Sequence, residues 1–384
     1  MTSKVIHSVN EARVLSKKVL PRVVFDYIEG GADDEITMKS NVDDFNKVRL
    51  LQKVDGTISD PELSTDVLGK KLSFPLVLAP CGLVRVMHPD GGIGVAKAAK
   101  SAGIQSVLST VSGNSIEEVA SVADSTLWFQ LYSAGGRDES KKLIDKAEKN
   151  GVHTLVVTVD TPALGNRERD RNNGVTTPLR ITPDNVVGLG LQVLSKPVWT
   201  VRMVQDGVKV FNKTRSKSKS KASRNDGKSM LSMAASPFSW EEIKWIREYW
   251  NHKLVIKGLM DVNDGLTAAS LGVDGIVVSN HGGRQLDSSP STISVLPDFV
   301  KEIGGKLDVL VDGGVRRGTH IAKALSLGAD AVMIGRPYLY GLSVSGEQGV
   351  SDVISALKSE LKRSLILLGC KSVSELRSQK WLAK

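Results

Sequence analysis

The segment SNHGGRQLD sets His281 three residues before Arg284. This pairs a base with a carboxylate clamp: a neutral imidazole accepts a proton near pH 7, and a planar guanidinium holds a carboxylate through two parallel hydrogen bonds. A second acid and a second cation, Asp160 and Arg167, stand in TVDTPALGNRERD. A carboxylate at Asp160 could orient His281 and stabilise its protonated form. A lone histidine followed by glycines is more often structural than catalytic, so its position in the fold has to decide.

The elements that must position these groups recur with a clear rhythm. Short β-branched apolar runs occupy 74–80, 105–110, 127–132, 154–160, 253–258, 275–280, 308–314 and 331–337. Stretches of helical spacing such as SIEEVASVA, DESKKLIDKAEKNG and GTHIAKALSLG lie between them. Continuous apolar runs suit parallel strands buried on both faces. Eight such units predict an α/β fold closed as a (β/α)8 TIM barrel, with a doubly wound sheet as the second option. The whole of 1–384 reads as a single domain in which residues 1–70 form an N-terminal helical cover. The fourth and fifth strands are about ninety residues apart. Ser239 and Glu242 form an S-x-x-E capping box that predicts the start of the fourth barrel helix. Residues 176–236 are then a long insertion on the catalytic face. Within it, KTRSKSKSKASRNDGKS lacks aromatic and β-branched aliphatic residues, and the insertion is expected to be mobile and basic.

In a barrel the chemistry stands at the C-terminal ends of the strands. Those positions hold Cys81 and Gly82, Ser109, Gln130 and Tyr132, Thr158 and Asp160, Lys257, Ser279 to His281, Asp312, and Gly335 with Arg336. Polar groups after eight separate apolar runs are hard to attribute to packing. The last two units carry DGGVRRG and IGRP, where barrels commonly hold a phosphate. Glycines such as Gly314 and Gly335 let backbone N–H groups approach an anion, and Arg316 and Arg336 add charge. GGIG and GLG near Gly92 and Gly188 are incomplete dinucleotide fingerprints, so a phosphorylated cofactor in a barrel is preferred to a Rossmann site.

Bulk composition fits this picture. Hydrophobic residues make up 41% and charged residues 24%, enough for a sizeable core. Two cysteines, Cys81 and Cys370, lie outside any metal-type spacing, so neither a disulfide framework nor a metal is expected, and a cytoplasmic setting fits. No apolar run approaches the ~20 residues of a membrane span. The net charge of +9 is concentrated between Thr200 and Lys228, where nine Lys or Arg face Asp206 and Asp226.

SNHGGRQLD, DGGVRRGTHIAKALSLGA, LWFQLY, TVDTP with GNRERD, and DYIEGGADDE resemble the FMN-dependent L-2-hydroxy acid oxidase and dehydrogenase family. These motifs follow the family's order from about Ser8 to Leu376. The resemblance implies FMN as cofactor, with His281 as the base, Asp160 as its partner, and Arg284 and Arg167 as the arginines that hold the substrate carboxylate. It makes Tyr27 and Tyr132 substrate contacts and Lys257 the cation near flavin N1 and O2. Gln130, Thr158, Ser109, Ser279 and the backbone at Cys81 and Gly82 become ring contacts. Asp312 becomes a ribityl contact, and Gly314, Arg316, Gly335 and Arg336 the phosphate site. A homotetramer is also implied.

Gly82 and Val111 stand where glycolate-oxidising relatives tend to have Ala and Trp. Smaller groups there favour a lactate-like or mandelate-like substrate and the dehydrogenase branch. Apolar residues of VVGLGLQVLSKPVWTVRMVQDGVKVF beside the basic tract suit an anionic membrane surface, through residues 177–228. The expected enzyme therefore passes electrons to a quinone while peripheral on the inner face of the membrane. A soluble oxidase using O2 and forming H2O2 is the alternative. From other classes, an FMN barrel isomerase would not need two arginines for a carboxylate, and a non-catalytic membrane-binding protein would not need polar strand ends. Nucleic acid is not expected, since no aromatics interleave the basic tract.

Overall fold

The computed structural model describes residues 5–54, 56–133, 135–174, 183–217, 238–377 and 381–383; the side chains of 183–187 and 209–217 lie outside that description. Two strands, β1 (Thr65–Val67) and β2 (Lys70–Leu72), form an antiparallel hairpin. Eight more close a parallel barrel: β3 (Leu76–Leu78), β4 (Gln105–Ser109), β5 (Leu127–Leu131), β6 (Thr154–Thr158), β7 (Lys253–Leu259), β8 (Gly275–Val278), β9 (Asp308–Val311) and β10 (Ala331–Ile334), with β10 paired to β3. All residues of β4, β5, β6, β8 and β10 are buried, as expected for strands covered by helices outside and packed side chains inside. The expected (β/α)8 architecture is therefore the one observed.

The N-terminal cover comprises α1 (Val9–Val19), α2 (Arg22–Glu29) and α3 (Ile36–Asp43). Ser8 caps α1 by accepting from Glu11 N, and Ser16 of α1 meets Ser343 at 2.8 Å, in the helical segment Arg336–Leu368, which is kinked at Ser345 and Gly346. The hairpin covers the opposite end of the barrel. Leu68 N donates to the Asp308 carboxylate where β9 begins, and the Leu68 side chain lies against Gly275 at the start of β8. After β3 come α4 (Val84–Met87) and α5 (Gly91–Ala102), then α6 (Ile116–Ala123), α7 (Arg137–Lys149) and α8 (Glu168–Asn172). The next barrel helix spans Trp240–Tyr249, and Ser239 accepts from Glu242 N. The expected capping box is only half formed: the Glu242 carboxylate binds Arg137 instead, because a guanidinium is a stronger donor than the backbone N–H at the cap.

The insertion differs from expectation more substantially. Residues 176–236 were expected to be mobile throughout, yet α9 (Pro183–Leu194) and α10 (Pro197–Lys217) are helices, each opened by a proline in its first turn, where no N–H is needed. Trp199 Nε1 donates to Val86 O, and Asp206 takes two hydrogen bonds from Arg85, so α10 is fastened to α4. Residues 175–182 and the lysine-serine tract from 218 onward lie outside the described residues.

Candidate active site

His281 follows β8 in the left-handed region, with φ of 58°, and Gly282 and Gly283 continue it at 67° and 73°. Three left-handed residues in a row turn the chain sharply back over the barrel mouth. A Cβ on Gly283 would lie 2.5 Å from Met38 N, so glycine is required there. For His281 the strain is supported by a hydrogen bond from its backbone N–H to Ser279 Oγ, 3.1 Å. Its Nδ1 lies 3.0 Å from Asp160 Oδ1 at the end of β6. Burial pushes the imidazole below its ordinary value, and Asp160 only partly opposes this. Burial would raise Asp160, but His281 and Lys257 more than offset it and hold the carboxyl below its usual range. The pair is thus a neutral imidazole fixed by an ionised carboxylate, with Nε2 left for chemistry.

Gly258 makes that approach possible. The β7–β8 register shifts between Lys257 and Leu259, and at this bulge Gly258 has φ of 109°. A Cβ there would meet Asp160 Cβ and Cγ at 2.7 Å. Gln285 fastens the loop that follows Asp160, donating to the backbone carbonyls of Asp160 and Ala163 and accepting from Gly165 N. Neither Gly258 nor Gln285 was singled out from sequence; Gln285 stands inside SNHGGRQLD and could have been.

The two candidate clamp arginines come together. Repulsion from Arg284, with burial, brings Arg167 down to about 10. Arg167 Nε is buried and unpartnered. Arg284 Nη1 donates to the carbonyls of Tyr27 and Gly30, and its guanidinium lies 5.1 Å from the Tyr27 ring centroid. Tyr132 is held above its ordinary value by burial and by Asp160, so its hydroxyl remains a donor. Gly82 faces Val111 and the Tyr27 hydroxyl: a Cβ there would lie 3.1 and 3.2 Å from them.

A second group of polar atoms lines the strand ends. Ser109 Oγ donates to Gln130 Oε1, leaving Gln130 Nε2 buried without a partner, as are Thr158 Oγ1 and Asp312 Oδ1. Lys257 Nζ donates to Ser279 Oγ at 2.8 Å and pairs with Asp312 at 3.0 Å. Burial alone would lower this lysine, yet Asp312 and Asp160 keep it raised and cationic. Burial raises the Cys81 thiol, so it stays protonated and reacts slowly. Orphaned donors and acceptors around one buried cation are what a flat, heteroatom-rich ring and a hydroxylated chain would satisfy.

Beyond β9, Gly314 packs against the Asn41 backbone, and the Arg316 backbone N–H donates to His320 Nδ1. His320 stacks on Phe45 with ring centroids 4.4 Å apart, and burial pushes it down to about 4, so it stays neutral. Gly335 opens the helical segment Arg336–Leu368, whose first N–H groups receive no side-chain cap. Arg336 donates to the carbonyls of Ile28, Gly30 and Gly282. Three of its five N–H groups therefore fasten the N-terminal cover to the His281 loop, a structural duty that spacing did not reveal. Burial, then Arg284, brings it down to about 10. Among the described residues no cluster of three or more His, Cys, Asp or Glu could hold a metal.

Comparison with known proteins agrees with this geometry. The model of the FMN-dependent dehydrogenase family matches residues 16–383. The chain is 40% identical to (S)-mandelate dehydrogenase of Pseudomonas putida over 97% of this chain and 93% of that protein. It is 37% identical to 2-hydroxyacid oxidase 1 of Homo sapiens over 95% and 93%. The crystal structure of monotopic membrane protein (S)-mandelate dehydrogenase superposes with a TM-score of 0.88, at 39% identity, over 98% of this chain and 99% of that one. A barrel with an imidazole–carboxylate pair, a buried lysine among orphaned polar atoms and a glycine-arginine corner, matched along nearly its full length, belongs to the FMN-dependent dehydrogenase family, with FMN as its cofactor.

Proposed function

We propose that this chain oxidises an L-2-hydroxy acid of lactate or mandelate type to the 2-oxo acid and passes the electrons to a membrane quinone. The observation that carries the reading is the pair of repelling arginines beside the base, one with a buried unpaired Nε. A substrate carboxylate between Arg167 and the donors of Arg284 not engaged by Tyr27 and Gly30 would relieve that repulsion. Tyr27 and Tyr132 orient the hydroxyl. His281 Nε2 takes the substrate proton, while Asp160 keeps Nδ1 protonated and stabilises the imidazolium.

Gln130, Thr158, Ser109, Ser279 and the backbone at Cys81 and Gly82 would hold the flavin ring, Asp312 the ribityl chain, and Gly314, Arg316, Gly335 and Arg336 the phosphate. Bound FMN supplies the acceptor for two electrons, and Lys257 places a fixed positive charge beside it.

The lack of a side chain at Gly82, where a Cβ would press on Val111 and the Tyr27 hydroxyl at 3.1 and 3.2 Å, leaves that place free and supports a substrate with a side chain, and the identity to a mandelate dehydrogenase points the same way. The membrane reading is supported by Leu191, Leu194, Val198, Val201, Val204 and Val208, all more than half exposed along α9 and α10. No helix among the described residues is long and apolar enough to cross a membrane, so this face would lie on the surface. Anaerobic addition of L-lactate or (S)-mandelate to the purified yellow protein should bleach the flavin, and reoxidation should be slow in air and fast with a soluble quinone. A flavin that neither acid reduces would refute the substrate class; rapid reoxidation by air would make the enzyme an oxidase.

A further inference from the structure

The inserted helices reach both walls of the proposed substrate mouth. On one side stands α2, which carries Tyr27. Its N-cap residue, Pro21, offers no side-chain acceptor, so the first N–H groups of the helix need one from elsewhere. Gln192 of α9 supplies it: Val23 N donates to Gln192 Oε1 at 2.9 Å. Lys196 adds a bond to Lys18 O at 2.8 Å. On the other side stands α4, which begins two residues after Gly82. Arg85 of α4 donates twice to the Asp206 carboxylate, at 2.9 and 2.8 Å, with both side chains mostly buried. Trp199 bonds Val86 O at 3.0 Å. The walls so held are close neighbours, because the Tyr27 hydroxyl lies 3.2 Å from the place a Gly82 Cβ would occupy.

We infer that α9 and α10 form a clamp, with Gln192 and Asp206 as positioning residues that set the gap between Tyr27 and Gly82 and so the fit of the substrate side chain. The inference rests on the proposed reading of that gap as the substrate mouth. Its physical content is separate from membrane attachment, for which Leu191, Val198, Val201 and Val208 are turned to solvent while Gln192, Trp199, Arg202 and Asp206 face the body; Arg202 reaches Val344 O. One pair of helices thus presents an apolar face outward and a polar grip inward.

The test uses the full-length, flavin-loaded enzyme and the variants Asp206→Asn, Gln192→Ala and the charge swap Arg85→Asp with Asp206→Arg. The first two should raise the KM for (S)-mandelate by about 3- to 10-fold, as expected when a charge-assisted or capping bond that holds a binding wall is lost. Flavin reduction at saturating substrate should stay within about twofold, since no group in the chemical step is touched. The swap should return KM toward the parent value. A substrate-independent readout is maleimide labelling of Cys81, next to Gly82, which should accelerate in the two single variants while buried Cys370 stays unreactive. Unchanged KM together with unchanged Cys81 labelling overturns the clamp, as does a parallel fall of kcat and flavin content that the swap fails to restore. Faster Cys81 labelling in a protein whose flavin no hydroxy acid reduces would leave the clamp standing and sink the functional reading instead.

Discussion

Gly258→Ala isolates the contact that sets the dyad. The added methyl would lie 2.7 Å from Asp160 Cβ and Cγ and 2.9 Å from Oδ2. Non-bonded carbons rest at about 3.5 to 4.0 Å, so the carboxylate must withdraw by roughly 1 Å. The His281 Nδ1 contact is 3.0 Å, and a withdrawal of that size leaves no hydrogen bond. The imidazole then loses its fixed tautomer and its charge partner, and a 1 Å misplacement of a catalytic group costs about 10²-fold in rate. Alanine at φ of 109° adds backbone strain, so thermal unfolding should be followed alongside the rate. Anaerobic stopped-flow reduction of the flavin by (S)-mandelate is the assay, expected to slow about 100-fold with flavin content retained. Making the same change in an Asp160→Gly background supplies the control: Cβ, Cγ and Oδ2, all three clash partners, are gone, so Gly258→Ala should add almost nothing there. A single variant that reduces its flavin within about threefold of the parent rate, or full additivity of the two changes, would refute the reasoning.

His281→Gln should keep FMN and lose about 10²- to 10⁴-fold in flavin reduction, because the base acts only in the chemical step; near-parental reduction would displace the assignment. Because burial lowers the His281 pKa, kcat/KM should hold level at neutral pH and fall only below the ordinary imidazole range. The same sign makes the stability contribution of this residue present above the unfolded-state pKa and lost as pH falls from there through the lower folded-state pKa, which acid unfolding of the parent and His281→Gln would compare. Arg284→Met should raise KM and weaken oxalate inhibition by more than tenfold, since a charge-assisted pair to a carboxylate is lost; unchanged inhibition would move the clamp to Arg167 alone. Replacing residues 177–228 with a Gly/Ser linker should abolish binding to anionic vesicles at low salt while the flavin remains reducible, and Val201→Asp with Val204→Asp should remove the part of that binding that salt leaves intact.

The barrel was legible because parallel strands buried on both faces must be continuous apolar runs, and all eight lie where those runs do. The candidate site was legible as a set of positions because strand ends are listable and the motifs at them carry rare residue types. Less visible were features that depend on distant partners. Nothing near Glu35 or Pro21 announces that α3 takes its cap from Asp287 and α2 from Gln192. Helices α9 and α10 were missed because composition sees the lysine-serine tract and not the bonds that Trp199 and Asp206 make to α4. Gly258 reads as an ordinary strand residue until Asp160 is placed against it. Arg336 looks like a phosphate ligand by spacing, and only the fold discloses the three carbonyls that it also holds.

The pairing of β10 with β3 has a consequence for how the enzyme is made. Strand β3 leaves the ribosome with one neighbour soon to follow, while its other edge waits for β10, some 250 residues later. At roughly 5 to 20 residues per second, that edge is open for about 12 to 50 seconds, long enough for it to find another chain. His281 and Asp160, 121 residues apart, likewise meet only late in synthesis. Production of active enzyme should therefore respond to translation speed and to chaperones that shield strand edges, and early release of FMN into the cell would reach a nascent chain with no completed cradle to receive it.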